Sequence, residues 1–335
     1  MTIRVGVIGT GNIGTSHARN LAFAVSGAAV SVVYDADPMR ARALADEVGG
    51  RIASTAQDLI YSGDVDAVLI ASPDTSHADQ ALMCLSAGKP TLCEKPLAPV
   101  EADARSIVDA EVAIGTPLIM MGFMRRFDPG YLELRAQLGP QGIGDPLIVR
   151  NAHRNEMAPY GLDSALSITN AAIHEIDINR WLVRDEYTWV EVIRGLSGPL
   201  TPEGQHDPLF ILLQTRAGII VEVEMYVQSQ IGYEVSCHVT GGRGIAEMAD
   251  GSYVTTAVAR QRGHRLPRQW LGRFQDAYRL ELQGWITYLT TGGRMPGAST
   301  WDGYVATIVA NRAVDSLRSG QRVPITLPDR PSLYA

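Results

Sequence analysis

The chain is predicted to fold in two parts. Residues 1–122 form an α/β domain around a doubly wound parallel sheet, and residues 123–335 an α+β domain with a large, mainly antiparallel sheet. Three observations predict this. Short runs rich in Val and Ile alternate with helical stretches as far as Gly122, as in a sheet buried on both faces. A Gly9-x-Gly11-x-x-Gly14 turn joins the first such run to the first helix. After Gly144-Asp145-Pro146 the pattern changes to strands separated by hairpin signals such as Arg216-Ala217-Gly218 and Gly241-Gly242.

Composition bounds the possibilities. At 335 residues two domains are the default, and 46% hydrophobic residues with 19% charged give material for two cores. The net charge of -7, with no run of Lys or Arg, argues against nucleic acid and anionic membrane as partners and leaves small molecules. Cys84, Cys93 and Cys237 lie in apolar sequence without metal-ligand spacing, so they are expected to be reduced core residues, with no metal bound. The apolar pattern starts at Ile3, without a charged n-region and h-region before it, so no leader is expected, and no apolar run reaches membrane-spanning length. The expected location is the cytoplasm.

In the first half, Ile3 to Ile8 reads as a strand, Gly9 to Gly14 as the turn, and Thr15 to Val25 as a helix. This is the Rossmann dinucleotide-binding arrangement. Gly9 makes the tight turn, Gly11 lets backbone approach a pyrophosphate, and Gly14 lets helix pack on strand, with Asn12 and Ile13 at the helix start where phosphates bind. The next strand, Ala29 to Tyr34, ends at Asp35, where a carboxylate accepts ribose hydroxyls and repels a 2′-phosphate. NAD is therefore favoured over NADP, with Arg40 as an opposing charge and Asp37 as a further negative one.

Helices at Pro38–Val48, Thr75–Ala87 and Val100–Ile114 then alternate with strands at Ala67–Ala71, Thr91–Cys93 and Pro117–Gly122. Ligands bind beyond the carboxyl ends of such strands. Three loops lie there: Ser72-Pro73 to His77, Glu94-Lys95-Pro96, and Gly122 to Phe127. Lys95, between a buried strand and a proline, is the more telling residue, its alternative being a lysine that extends to water. His77 fits either a helix start or a cofactor contact.

In the second half, strands are expected at Leu147–Asn151, Trp189–Arg194, Leu209–Thr215, Ile219–Tyr226, Glu234–Thr240 and Val254–Ala259. In Ile219 to Val227, Glu222 and Glu224 share one face and Val221, Val223 and Met225 the other, so one side is polar. Helices are expected at Trp270–Thr290 and Thr300–Arg318, the latter free to pack back on the first domain. Arg260 to Arg268 reads as a basic loop, and Pro324 to Ala335 as an extended surface tail. His206 and His264 lie in polar loops, and His238 lacks companions for a metal site. The stretch Ser167 to Leu182 reads as a helix. At 100° per residue Asn170, His174 and Asp177 share an arc, while Glu175 and Asn179 point to solvent. His174 is thus either a buried, satisfied histidine or a proton acceptor, since a neutral imidazole takes a proton near neutral pH.

Taken together, Gly9-x-Gly11-x-x-Gly14, the Ser72-Pro73 to His77 turn, Glu94-Lys95-Pro96 and His174-x-x-Asp177 resemble the Gfo/Idh/MocA oxidoreductases. Gly122 to Phe127, Ala152-His153-Arg154-Asn155 and Ile173 to Asp177 are most similar to the inositol 2-dehydrogenases of that family. The resemblance implies NAD-dependent oxidation of a secondary hydroxyl of a cyclic polyol, myo-inositol above all. It implies a cis proline at Pro96, cofactor contacts by Ser72, Pro73, His77, Glu94 and Lys95, and a Lys95 that hydrogen-bonds the reacting oxygen. Met124, Arg125, His153, Asn155 and Tyr233 would line the polyol pocket, although Tyr233 also fits an ordinary strand aromatic. The family's sheets pack in dimers or tetramers, which implies a homo-oligomer, a homotetramer included.

One departure stands out. The family carries an acid, usually Asp, four residues before the histidine, where this chain has Asn170. An amide orients an imidazole but supplies no charge. Three readings stay open: an inositol dehydrogenase with a weaker base, an enzyme for another inositol isomer, inosamine or sugar, and an NAD-dependent ligand sensor.

Overall fold

The computed structural model describes residues 2–158, 163–248, 255–263 and 265–335. The chain divides into two compact units, Met1–Phe127 with Asp276–Thr307 and Pro328–Ala335, and Asp128–Gln275 with Ile308–Leu327.

The first unit holds a sheet of six parallel strands: β1 (Ile3–Ile8), β2 (Ala28–Tyr34), β3 (Arg51–Ile52), β4 (Ala67–Ile70), β5 (Thr91–Glu94) and β6 (Ile119–Gly122). Their order is β6-β5-β4-β1-β2-β3, with Ala298–Ser299 added antiparallel at the β6 edge. The order reverses between β1 and β4, which places a ligand crevice at their carboxyl ends. Val5, Val7, Val33, Leu69 and Leu92 are buried on this sheet because helices cover both faces. Those helices are α1 (Asn12–Phe23), α2 (Pro38–Val48), α3 (Ala56–Ile60), α4 (His77–Ser86) and α5 (Glu101–Ile114). Local chemistry sets the ends of α2. Asp37 accepts from the N–H groups of Met39 and Arg40, Pro38 opens the first turn, and Gly49 closes the helix in the left-handed conformation. The core is completed by the helix Gln275–Thr291, whose Leu282, Trp285 and Ile286 pack among the β1 and α1 side chains.

A second link in this unit is polar. Glu111 of α5 is fully buried, and its Oε1 accepts from the N–H groups of Leu118 and Ile119, both at 2.7 Å. Its Oε2 accepts from the Thr300 and Tyr334 hydroxyls, both at 2.6 Å. Four donors replace the lost water shell. The tail is therefore not a surface strap throughout: Tyr334 is buried, and Val323–Pro324 pairs with the strand Tyr187–Arg194 of the second unit.

The second unit is built on a seven-stranded sheet. Its five long strands are Pro146–Arg154, Tyr187–Arg194, Leu209–Thr215, Ile220–Tyr226 and Glu234–Gly241. All pairings are antiparallel except that of Ile220–Tyr226 with Pro146–Arg154. Between those two the chain passes through the helical region that contains His174, a connection long enough for a parallel return. The alternation in Ile220–Tyr226 is as expected: Val221, Val223 and Met225 are buried. On the opposite face Glu222 pairs with Arg150 at 3.2 Å, and Glu224 with Arg154 at 2.7 Å.

Several boundaries differ from the sequence expectation. The helix expected over Trp270–Thr290 is two, Trp270–Arg273 and Gln275–Thr291, parted at the buried Phe274. The segment expected as a basic loop opens as a strand, since Gln261–Gly263 pairs with Thr256–Val258 across Ala259 and Arg260, both with positive φ. Val254 and His264 lie outside the described residues. Among the described residues no helix is long and apolar enough to cross a membrane.

The Glu111 cluster gives a stability prediction. Tyr334→Phe removes a buried hydroxyl that donates to a carboxylate, and should cost about 1.5–3 kcal/mol, read as a lower urea midpoint. An unchanged midpoint would show that the tail contact contributes nothing to the stability of the unit.

Candidate active site

The first unit places its sequence-predicted residues at the carboxyl ends of the strands. Gly9 has φ +94, and a Cβ there would lie 2.4 Å from the Ala71 carbonyl oxygen. At Gly14 a Cβ would meet the Gly9 carbonyl oxygen at 2.0 Å, so helix and turn touch through bare backbone. Gly11 is different: nothing lies within 4 Å of the position its Cβ would take. It heads α1 without a side-chain cap, which leaves the first N–H groups of the helix for an anion. Asn12 is exposed beside it, and Ile13 packs against the core.

Asp35 closes the other side of this crevice. Its Oδ2 accepts from the N–H (2.6 Å) and hydroxyl (2.9 Å) of Thr10, and its Oδ1 from the Asp37 N–H (2.8 Å). Burial pushes its pKa up, but these bonds and the Arg40 charge outweigh it and hold the carboxyl below its ordinary value. The charged side chain lines a cavity of ≈ 330 Å³ with Tyr34, Ala36, Pro38, Ile52, Ala53 and Ser54. Arg40 sits 3.5 Å from Asp37. Open space at Gly11 and an ionised carboxylate at the end of β2 suit a dinucleotide with free ribose hydroxyls.

The Lys95 loop follows β5. Its Lys95-Pro96 bond is cis. Lys95 is partly buried, and burial lowers its pKa; the Glu94 and Asp74 carboxylates oppose that shift, and the Arg125 charge adds to it. Glu94 is buried, with Oε1 accepting from His17 Nε2 at 2.8 Å and Oε2 from the Lys95 N–H at 3.2 Å. His77 is buried at the start of α4, with Nδ1 2.7 Å from the Pro96 carbonyl oxygen and Nε2 3.0 Å from that of Ser72. The Ser72 hydroxyl donates to Gln80 Oε1 at 2.7 Å, and Pro73 is exposed next to it. Met124 and Arg125 lie buried on the 3-10 turn after β6.

The second unit gathers a different set. His153 points from the strand Pro146–Arg154 to Glu175, with Nδ1 and Oε2 3.0 Å apart and both side chains buried. An ionised carboxylate only accepts, so Nδ1 donates in this contact. Tyr233 is buried just before Glu234–Gly241, its ring edge-on to His153 at 5.6 Å and to Phe274 at 6.2 Å, and its N–H donates to the Pro267 carbonyl at 2.7 Å. Asn155 has its backbone pinned: its N–H donates to the Tyr226 carbonyl, and its own carbonyl accepts from Ser229. No donor among the described residues reaches its buried side-chain oxygen.

The helix of His174 corrects one expectation. Glu175 and Asn179 do not face solvent; both are 0% exposed. Ile173–Val183 is covered on every side, so its polar residues need internal partners, as Glu175 finds in His153 and Arg180 in Glu186 at 2.6 Å. The turns before it, Ser167–Ala172, are π-helix, which changes the rotation per residue ahead of His174. Asn170 is exposed on that segment, and His174 and Asp177 are buried. The π segment, the Glu175 pairing and the His17–Glu94 pair were missed by sequence reasoning. Only His17 left a trace, a polar residue three positions after Gly14 on the buried face of α1.

Residues 3–122 match the oxidoreductase family model for the NAD-binding Rossmann fold (Gfo/Idh/MocA), and residues 137–327 match the model of its C-terminal alpha/beta domain. The chain is 42% identical over 334 residues to inositol 2-dehydrogenase 3 of Saccharopolyspora erythraea, covering 100% of this chain and 98% of the relative. It is 40% identical over 338 residues to the inositol 2-dehydrogenase of Cereibacter sphaeroides, covering all of both. The crystal structure of myo-inositol dehydrogenase from Lactobacillus casei in complex with NAD(H) and myo-inositol superposes with a TM-score of 0.96 at 33% identity, covering 100% of both chains. This chain therefore belongs to the Gfo/Idh/MocA family of oxidoreductases and carries an NAD-binding Rossmann domain.

Proposed function

We propose that the chain oxidises a secondary hydroxyl of a cyclic polyol, myo-inositol to the 2-keto inosose in first place, with NAD as cofactor. The observation that carries this is the full-length likeness to the Lactobacillus casei enzyme crystallised with NAD(H) and myo-inositol. The backbone at Gly9, Gly11, Asn12, Ile13 and Gly14 holds the pyrophosphate and Asp35 the adenosine ribose, with Ser72, Pro73, His77, Glu94 and Lys95 on the nicotinamide side. NAD, when bound, supplies the hydride acceptor.

The remaining work falls to side chains of the protein. Lys95 donates a hydrogen bond to the reacting oxygen, and its charge stabilises the alkoxide as the proton leaves. His174 takes that proton. His153, oriented by Glu175 through Nδ1, lines the polyol pocket, and Asn155 offers a side-chain oxygen for a substrate hydroxyl. Met124, Arg125 and Tyr233 complete the polyol pocket. Asp35 makes NADP the poorer cofactor, since its charge repels a 2′-phosphate. The assembly we infer is a homo-oligomer, a dimer or tetramer.

A second reading, a ligand sensor with weak turnover, is favoured by one observation. Asn170 places an amide where the family carries an acid, so His174 lacks that charge to stabilise its protonated form.

These roles lead to three expected outcomes. NADH should form with myo-inositol, and Lys95→Ala or His174→Ala should each lower kcat by about 10²–10⁴-fold; a protein that binds NADH but oxidises no cyclitol or sugar in a panel is not a polyol dehydrogenase. Asn170→Asp should raise kcat on myo-inositol if the amide merely weakens the base. Absence of any gain would point to a pocket shaped for another substrate. Asp35→Ser should shift the NAD-over-NADP preference toward NADP by about tenfold or more, and an unchanged ratio of kcat/KM values would remove Asp35 from cofactor selection.

A further inference from the structure

The carboxylate just before Lys95 is held on both oxygens. Glu94 Oε1 accepts from His17 Nε2 at 2.8 Å, and Oε2 accepts from the Lys95 N–H at 3.2 Å. His17 is fully buried on α1, and Tyr278 packs edge-on to its ring at 5.4 Å. Space for the carboxylate depends on Gly122 of β6, where a Cβ would lie 3.1 Å from the Glu94 carboxyl carbon. On the other side of the loop, the His77 ring lies within hydrogen-bond distance of the Pro96 and Ser72 carbonyls. His17 stands three residues after Gly14, on the helix whose first N–H groups are open to an anion.

We propose that His17 is a positioning residue for Lys95, acting through Glu94, so that the phosphate-binding helix and the lysine loop keep one register. The proposal rests on the reading of Lys95 as the group that polarises the reacting oxygen. An ionised carboxylate only accepts hydrogen bonds, so His17 Nε2 carries the proton in this contact. With both oxygens engaged, the carboxylate cannot turn about its terminal bond. Its charge then stands fixed beside the Lys95 ammonium and favours the charged form against burial. Without His17, Glu94 Oε1 is buried with its donor removed, and the carboxylate is free to turn. Lys95 loses a fixed counter-charge and a fixed backbone anchor together. The anion-binding start of α1 is untouched by the loss, because the His17 side chain bonds to Glu94 instead.

The test compares the wild-type protein with His17→Leu, His17→Gln and Lys95→Ala, by steady-state NAD-dependent oxidation of myo-inositol and by fluorescence titration with NADH. His17→Leu should lower kcat by about tenfold to a hundredfold, with the NADH Kd held within about twofold. His17→Gln, whose amide N–H reaches toward the same oxygen, should regain most of the rate. Wild-type kcat in His17→Leu overturns the proposal. So does a matching loss of NADH affinity, or a His17→Gln protein as impaired as His17→Leu, since either is what a merely structural role gives. Should His17→Leu not fold, His17→Asn, whose shorter amide does not take the place of Nε2, stands in for it: it must lower kcat to a similar degree with NADH binding kept, and a normal rate overturns the proposal. If the wild-type protein oxidises no cyclitol, the Lys95 reading falls and this proposal with it. If only Lys95→Ala is impaired, the Lys95 reading stands and the His17 role alone is lost.

Discussion

A carboxylate taken out of water calls for donors, and at five buried or partly buried acids of this chain that requirement brings distant segments together. Glu111 receives two backbone N–H groups and two hydroxyls, drawn from a loop, a helix start and the tail. Asp35 receives two N–H groups and one hydroxyl. Asp207 accepts from the N–H groups of Val227 and Gln228 at 3.0 Å each; burial raises its pKa, and these bonds offset part of that. Glu175 is answered by His153 and Glu94 by His17. Apolar packing gives the units their bulk, while these acids specify which segments meet.

The same device serves two ends. At Glu111 both oxygens are engaged by donors of the protein and the result is a tether. At Asp35 the carboxylate is braced by its neighbours yet remains on the wall of a cavity, where its charge faces a ligand. Glu175 differs again, because its bond to Nδ1 fixes the orientation of the His153 ring. Position relative to open space, rather than residue type, separates an anchoring acid from one that acts on a ligand.

This distinction explains what was legible in the sequence. The parallel sheet declared itself through runs of Val and Ile, and the glycine turn through its place between strand and helix, since both signals are local in the chain. Two-residue strands such as Arg51–Ile52 and Ala298–Ser299 carry no period to detect. The inward turn of Glu175 was invisible because helical arcs assume one side faces water, and this helix has no such side. His17 and Glu94 are 77 positions apart, so only the folded chain makes them a pair. Lys95, His153 and His174 stand out by motif and resemblance, while their surroundings are set by segments far away in the chain.

The core of the first unit is not finished by the residues that begin it. Trp285 and its neighbours pack onto β1 and α1, and Tyr334 closes the Glu111 cluster. A ribosome adding about 5–20 residues per second leaves that sheet face uncovered for roughly ten seconds or more after β6 has emerged. During synthesis the nucleotide-binding half is a partly assembled body with an apolar wall open to chaperones. Its completion waits on sequence made after most of the second unit.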